Sequence, residues 1–182
     1  MILQKCCHDM DILIWLTGKR ARFVSSYGNN YLFCQKNAPK GAALRCLDCP
    51  VRSDCPYDAV RYYLEGERTS VRAGRVNWPI NVLDPDPTPE SIERALRTGP
   101  YGRCVYHCDN DVVDHQQTNL LFADGATMSF TMCAFTENCY RYFKAMGTKG
   151  EIEADMRSNE IHIRVFGEAE EVVDVAKLAD DL

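Results

Sequence analysis

The sequence has no apolar run approaching the ~18 residues of a membrane-spanning helix, the longest obvious one being Ile12 to Leu16. It also has no basic segment leading into an apolar one, so neither a membrane span nor a secretory signal is expected. Positive charge is not in excess: 21 Lys and Arg stand against 26 Asp and Glu, a net charge of −5, which argues against a nucleic-acid surface. There is no internal repeat and no low-complexity tract. No Gly-x-Gly-x-x-Gly follows a strand, so the phosphate-cradling turn of a dinucleotide site is missing from these residues. Hydrophobic content of 46% with interspersed charge excludes a disordered chain. A length of 182 residues suits one domain, or one and a small annex.

Cysteine is the residue not in short supply. There are ten, clustered and in one place adjacent (Cys6-Cys7), in a chain too long for a disulfide-stapled secreted scaffold. Reduced thiols of a cytoplasmic protein, some of them on a metal, fit better. The sharpest pattern is Cys46-x2-Cys49-x5-Cys55-Pro56. Two thiolates two residues apart can face one ion around a tight turn, and a third soon after closes most of a tetrahedron. Sulfur ligation selects zinc or an iron–sulfur cluster, and the spacing is not the bacterial ferredoxin run, which favours zinc over a cluster; packed structural thiols are the alternative to either. Cys34, Cys104, His107 and Cys108 compete as fourth ligand. Asp109 and Asp111 disfavour a thiolate at Cys108, whereas Arg103 favours one at Cys104, so the expected set is Cys46, Cys49, Cys55 and Cys104. Cys6, Cys7, Cys133 and Cys139 are expected as buried small hydrophobes.

Lys5 to Gly18 reads as a helix with Gly18 as a left-handed C-cap. Met10, Leu13 and Ile14, with Ile2 or Leu3, define an expected buried face. His8 and Asp11, three apart, share a face near its start, where an acid/base group could meet a cleft. Ala21–Tyr27 and Tyr31–Cys34 read as two strands joined by a Gly28-Asn29-Asn30 turn. Residues 35–55 are irregular, Pro56–Glu65 helical, and 67–87 a long proline-rich segment in which Trp78-Pro79 is the expected packing anchor. Thr88-Pro89 opens a helix ending near Gly99. Beyond Tyr101 period two takes over: strands at 102–108, 112–123, 126–135, 140–146, 151–155, 161–166 and 171–175, with Asp124-Gly125 as a hairpin turn. Such short connections force antiparallel neighbours. The expected class is α+β, a mainly antiparallel sheet with helices packed on one face. Asp109, Asp111, Asp114 and His115 form an acidic cluster that reads as a solvated strand start, or as a group able to approach a substrate or metal. The aromatic set Tyr140, Tyr142 and Phe143 reads as sheet surface.

His8-Asp9-x-Asp11-Ile12-Leu13-x-Trp15-Leu16-x-Gly18 resembles the motif opening the C-terminal domain of the Gfo/Idh/MocA oxidoreductases, the family of glucose–fructose oxidoreductase and inositol dehydrogenase. Asn37-Ala38-Pro39-x-Gly41-Ala42, Arg45-Cys46 and Cys55-Pro56-Tyr57 are similar to a cysteine-bearing branch of it. Gly99 to Tyr106, Asp109 to Gln116 and Gly147-Thr148-x-Gly150-Glu151-Ile152 match its later strands, so the likeness covers residues 4 to about 175. The resemblance implies a single substrate-binding and oligomerisation domain over 1–182 with a cysteine-rich insertion around 35–66, the N-terminal Rossmann domain lying outside the chain. It implies His8 as the proton-transfer residue toward a sugar or cyclitol substrate; Lys5, Asp11 and His115 are expected substrate-binding residues from their positions in the sequence, and the resemblance assigns them no role. It further implies NAD or NADP held mainly by the other domain and a homodimer or higher homo-oligomer; the possible structural zinc rests on the cysteine spacing, and the expected lack of a nucleic-acid or membrane partner on charge and hydropathy. Gln4 stands where the family often has an aspartate, and the family's Lys-Pro pair has no counterpart. The alternative is a non-catalytic, zinc-stabilised interaction or scaffold domain.

Overall fold

A computed structural model describes residues 5–180 of the chain. They form two compact units, divided between Phe135 and Thr136. The class is α+β, with two antiparallel sheets rather than one.

The first unit opens with helix α1 (Cys7–Thr17). Strand β1 (Ala21–Asn29) follows, and β2 (His115–Phe122) and β3 (Thr127–Cys133) complete a sheet of order β1-β2-β3. Alternation governs the central strand. Thr118, Leu120 and Phe122 are buried while Asn119 and Leu121 face out, the period-two pattern of a sheet covered on one side. The register sets Leu120 against Met128 and Thr118 against Phe130, extending the covered face into β3. The β2–β3 turn falls on Asp124-Gly125 as expected, with Gly125 at φ 87°, a value that glycine adopts without a Cβ clash.

β1 does not form a hairpin with its sequence neighbour. Residues 31–34 are not a strand; β1 pairs with β2, Asn29 opposite His115. The chain between them builds the core of the unit. Successive single-turn 3₁₀ helices occupy Gln35–Asn37, Cys46–Asp48 and Arg52–Asp54. A π-helical turn at Arg61–Glu65 follows, then 3₁₀ turns at Val71–Ala73 and Ile80–Val82. Helix α2 (Pro89–Thr98) starts as the sequence indicates: Thr88 Oγ1 accepts the Ser91 amide at 3.1 Å and Ser91 Oγ accepts the Thr88 amide at 3.0 Å, a reciprocal capping box. Ile92 and Leu96 of α2 are fully enclosed with Val60, Leu64, Val71 and Ile80. The long 67–87 segment is therefore a packed excursion, but its anchor is Ile80. Trp78, expected in that role, is 69% exposed. Residues 102–108 are not a strand either. A 3₁₀ turn at Pro100–Gly102 leads into a single antiparallel bridge, Arg45 with Arg103. The tight turn beside α2, where Gly102 lies against the Leu96 carbonyl, ends the extended run that alternation alone suggested.

The second unit is a meander of β4 (Tyr142–Met146), β5 (Gly150–Asp155), β6 (Glu160–Val165) and β7 (Glu171–Asp174), closed by α3 (Val175–Asp180). One face carries a cross-strand charge ladder. Lys144 pairs with Glu151 (3.1 Å) and Glu153 (2.9 Å), and Arg164 with the same two (3.0 and 2.6 Å). Opposite charges at facing positions stabilise pairing and fix register. Tyr140 and Tyr142 are exposed, in line with a sheet surface.

Candidate functional site

Helix α1 ends as its sequence dictates. Gly18 takes φ 62°, and its amide closes on the carbonyls of Ile14 (3.0 Å) and Trp15 (3.1 Å). Its expected buried face, however, is not there. No α1 residue is buried; Met10, Leu13 and Ile14 are half-buried, and Trp15 is 77% exposed. Ile2, Leu3 and Gln4 lie outside the described residues. Lys5, His8 and Asp11 are exposed, and none of the three makes a side-chain hydrogen bond or ion pair among the described residues. The helix thus presents an imidazole and a carboxylate to its surroundings on an apolar body without pre-positioning them.

At the start of β2 the acidic cluster divides. Asp109 is exposed and pairs with Arg103 at 2.6 Å, and Asp111 is exposed. Asp114, by contrast, is 3% exposed, which corrects the reading of the whole cluster as a solvated strand start. Its Oδ1 accepts the Tyr31 amide (3.1 Å), and its Oδ2 accepts those of Leu32 (2.6 Å) and Phe33 (3.0 Å). These are the backbone donors that residues 31–33 would have spent on a strand partner, so the carboxylate takes over the work of the missing ladder. Burial alone would push this carboxyl up; the hydrogen bonds from His115 and the three amides outweigh it and hold the group at about 2. Asp114 is therefore ionised at neutral pH, and the 2.9 Å contact with His115 Nδ1 is N–H donating to carboxylate. In a neutral imidazole this places the proton on Nδ1 and leaves Nε2 as the acceptor. Tyr31 meets the imidazole edge-on at 6.0 Å and Phe135 flanks it at 6.1 Å. A half-exposed histidine oriented by a buried carboxylate can accept a proton or a hydrogen bond.

The cysteines are brought together. The second and third 3₁₀ turns of the segment each lead to a cysteine: the Cys49 amide bonds the Cys46 carbonyl at 3.2 Å, and the Cys55 amide bonds the Arg52 carbonyl at 3.1 Å. The Arg45–Arg103 bridge then carries Cys104 in, its amide donating to the Leu44 carbonyl at 2.9 Å. Cys46, Cys49, Cys55 and Cys104 all line one cavity of about 20 Å³. His107 and Cys108 do not line it, and the Cys108 thiol donates to the Cys104 carbonyl at 3.3 Å. Burial pushes the Cys46 and Cys55 thiols up, against opposing hydrogen bonds from the Ala59 and Tyr57 amides. No three His, Cys, Asp or Glu side chains among the described residues stand in metal-ligating geometry. Of the four thiols expected to be buried, Cys6 is; Cys7 and Cys133 are half-buried and Cys139 is exposed, against expectation.

Sequence reasoning missed two residues that hold this region. Arg45 donates to the Leu96 carbonyl from Nε (3.2 Å) and Nη2 (2.6 Å), and to the Gly99 carbonyl (2.5 Å), so it satisfies the last carbonyls of α2. Asp58 is buried, with Oδ1 accepting the Val60 amide at 3.0 Å and Oδ2 facing Arg52 at 3.5 Å. The only sequence signal for either was a charged residue beside a cysteine or an apolar run.

The family model described as the C-terminal alpha/beta domain of an oxidoreductase family matches residues 1–182. No curated protein and no solved structure shows a significant match to the chain. Among the described residues, no helix is long and apolar enough to cross a membrane.

Proposed function

Because the chain belongs to the Gfo/Idh/MocA oxidoreductase family, as its C-terminal alpha/beta domain, we propose that it forms the substrate side of an NAD(P)-dependent dehydrogenase acting on a sugar or cyclitol in the cytoplasm. The family match over residues 1–182 carries this reading. The chain's own residues do not fit the dinucleotide. No glycine-rich strand–turn–helix is present among the described residues, and at the start of α2 the Ser91 amide is taken by Thr88 while Pro89 has no N–H, which leaves few donors there for a phosphate. The nicotinamide cofactor, held by another domain, would supply the hydride acceptor. The part left to this chain is the proton: His8 accepts it from the substrate hydroxyl as that carbon becomes a carbonyl. Lys5 and Asp11, and the half-exposed His115, offer hydrogen bonds to neighbouring hydroxyls. The exposed face of the β1-β2-β3 sheet pairs with a second copy as a homodimer.

The test is turnover by the protein joined to its nucleotide domain. Reduction of NAD or NADP by a panel of polyols should be lost by about 10²–10⁴ in kcat for His8→Asn, the range of general acid–base contributions, with KM changed far less. Wild-type rates in His8→Asn would remove His8 from the chemistry, and no turnover with any polyol would remove the dehydrogenase reading. A second reading, a non-catalytic interaction or scaffold domain with a zinc-stabilised loop, is favoured by one observation: among the described residues no hydrogen bond or ion pair positions the side chains of Lys5, His8 and Asp11.

A further inference from the structure

We propose that Cys46, Cys49, Cys55 and Cys104 form a structural zinc site that staples the 35–66 segment to the turn following α2. Four observations converge on it. The segment folds as consecutive 3₁₀ turns, Cys46–Asp48 and Arg52–Asp54, the first beginning at one of these cysteines and each leading into another. The fourth cysteine comes from the far side of the unit, through the antiparallel Arg45–Arg103 bridge, and not by proximity in sequence. All four line the same cavity. That cavity measures about 20 Å³, room for one water-sized body; it suits a single ion and is too small for an iron–sulfur cluster.

The surroundings fit a thiolate site. Backbone amides already point at two of the sulfurs, Ala59 at Cys46 and Tyr57 at Cys55, and such N–H donors stabilise charge on sulfur. Arg52 also lines the cavity, with its guanidinium paired to Glu65 at 3.1 Å and to Asp58 at 3.5 Å. Asp58 also lines it, but its two oxygens are engaged by the Val60 amide and by Arg52, which leaves sulfur as the ligand. On binding, four S–H protons pass to solvent as four Zn–S bonds of about 2.3 Å form. The sulfurs do not stand at that distance in the structure. A cysteine has one side-chain torsion, and rotation about it carries Sγ between staggered wells, which is the movement that binding would draw on. The energetic need is plain too. Of the residues from 35 to 56 only Cys46 is buried, so apolar burial does little to offset the ordering of this loop.

The protein purified without chelator should carry about one zinc per chain by elemental analysis, as a single tetrahedral site requires. Replacing zinc by cobalt(II) in the wild type should give the intense visible bands of a tetrahedral tetrathiolate. Cys49→Ser and Cys104→Ser should each lose the metal, and amide exchange should quicken over 35–66 without change in the strands. Cys108→Ser, outside the cavity, should keep both zinc and spectrum. A metal-free wild type whose four thiols react freely overturns the proposal. So does iron with labile sulfide, or a Cys108→Ser variant that loses zinc as readily as Cys104→Ser. If a ligand variant fails to fold, the wild-type cobalt spectrum still decides.

Discussion

Asp114→Asn tests how residues 31–33 are held without a strand. The substitution keeps size and shape and removes the charge and one acceptor. In the wild type, one oxygen serves Tyr31 and His115 and the other serves Leu32 and Phe33. An amide offers a single acceptor oxygen, so whichever way it is turned its NH₂ faces two donors. A carboxyl held at about 2 in the fold instead of its ordinary 3.8 contributes about 2.5 kcal/mol. Orphaning two donors at about 1–3 kcal/mol each gives the same order. Because the folded value is depressed, this stabilisation is complete above about pH 4 and disappears as pH falls through about 2. Urea unfolding at pH 7 should therefore place Asp114→Asn about 2–3 kcal/mol below the wild type. The gap should narrow steadily as the buffer is taken from pH 4 toward pH 2. Amide exchange at Tyr31, Leu32 and Phe33 should rise more than anywhere in β4 to β7. Equal midpoints at pH 7, or a gap that persists unchanged at pH 2, would refute this account of the carboxylate.

Gly102→Ala should be among the most damaging single changes. An added Cβ would lie 1.7 Å from the Leu96 carbonyl oxygen and 2.5 Å from its carbon, where Arg45 also donates, so a loss of about 3 kcal/mol or more is expected in thermal or urea melts; a melt unchanged from wild type would contradict the close packing of that turn. Phe23→Asp, on the exposed face shared with Leu121, should shift the chain from dimer to monomer in sedimentation at tens of micromolar without lowering its melting point, and a wild type that sediments as a monomer there would dismiss the dimer.

Much of the fold was legible where the signal is local. Thr88-Pro89 marked the start of α2, Gly18 the end of α1, and Asp124-Gly125 the β2–β3 turn, because each depends on backbone geometry that a few adjacent residues fix. Thiol spacing and a neighbouring arginine picked out four cysteines that line one cavity, but no three such side chains among the described residues stand in metal-ligating geometry. What escaped depends on distant partners. Period two at 31–34 and 102–108 is real, but no strand arrives to use it: Asp114 caps the first and the α2 carbonyls fold the second into a turn. The buried face assigned to α1 failed for the opposite reason. Its apolar residues occur on every side, Ile12, Trp15 and Leu16 as well as Leu13 and Ile14, so periodicity could not select one.

The pairing of Asn29 with His115 has a consequence for how this unit can vary. The chain leaves the sheet at one strand end and returns beside it, with the Asn30 side-chain amide reaching the Asn110 carbonyl at 3.3 Å. Topologically the whole helical region is then an insertion in the loop of a β-hairpin. Closing such a loop costs only about 0.6 kcal/mol more for each doubling of its length. The three-stranded framework can therefore accept, enlarge or exchange this excursion while its own register stays put. Replacing residues 30–114 by a short turn would leave β1, β2 and β3 as an ordinary meander. In such an architecture new chemistry is gained by changing the cargo of one loop and not by rebuilding the sheet.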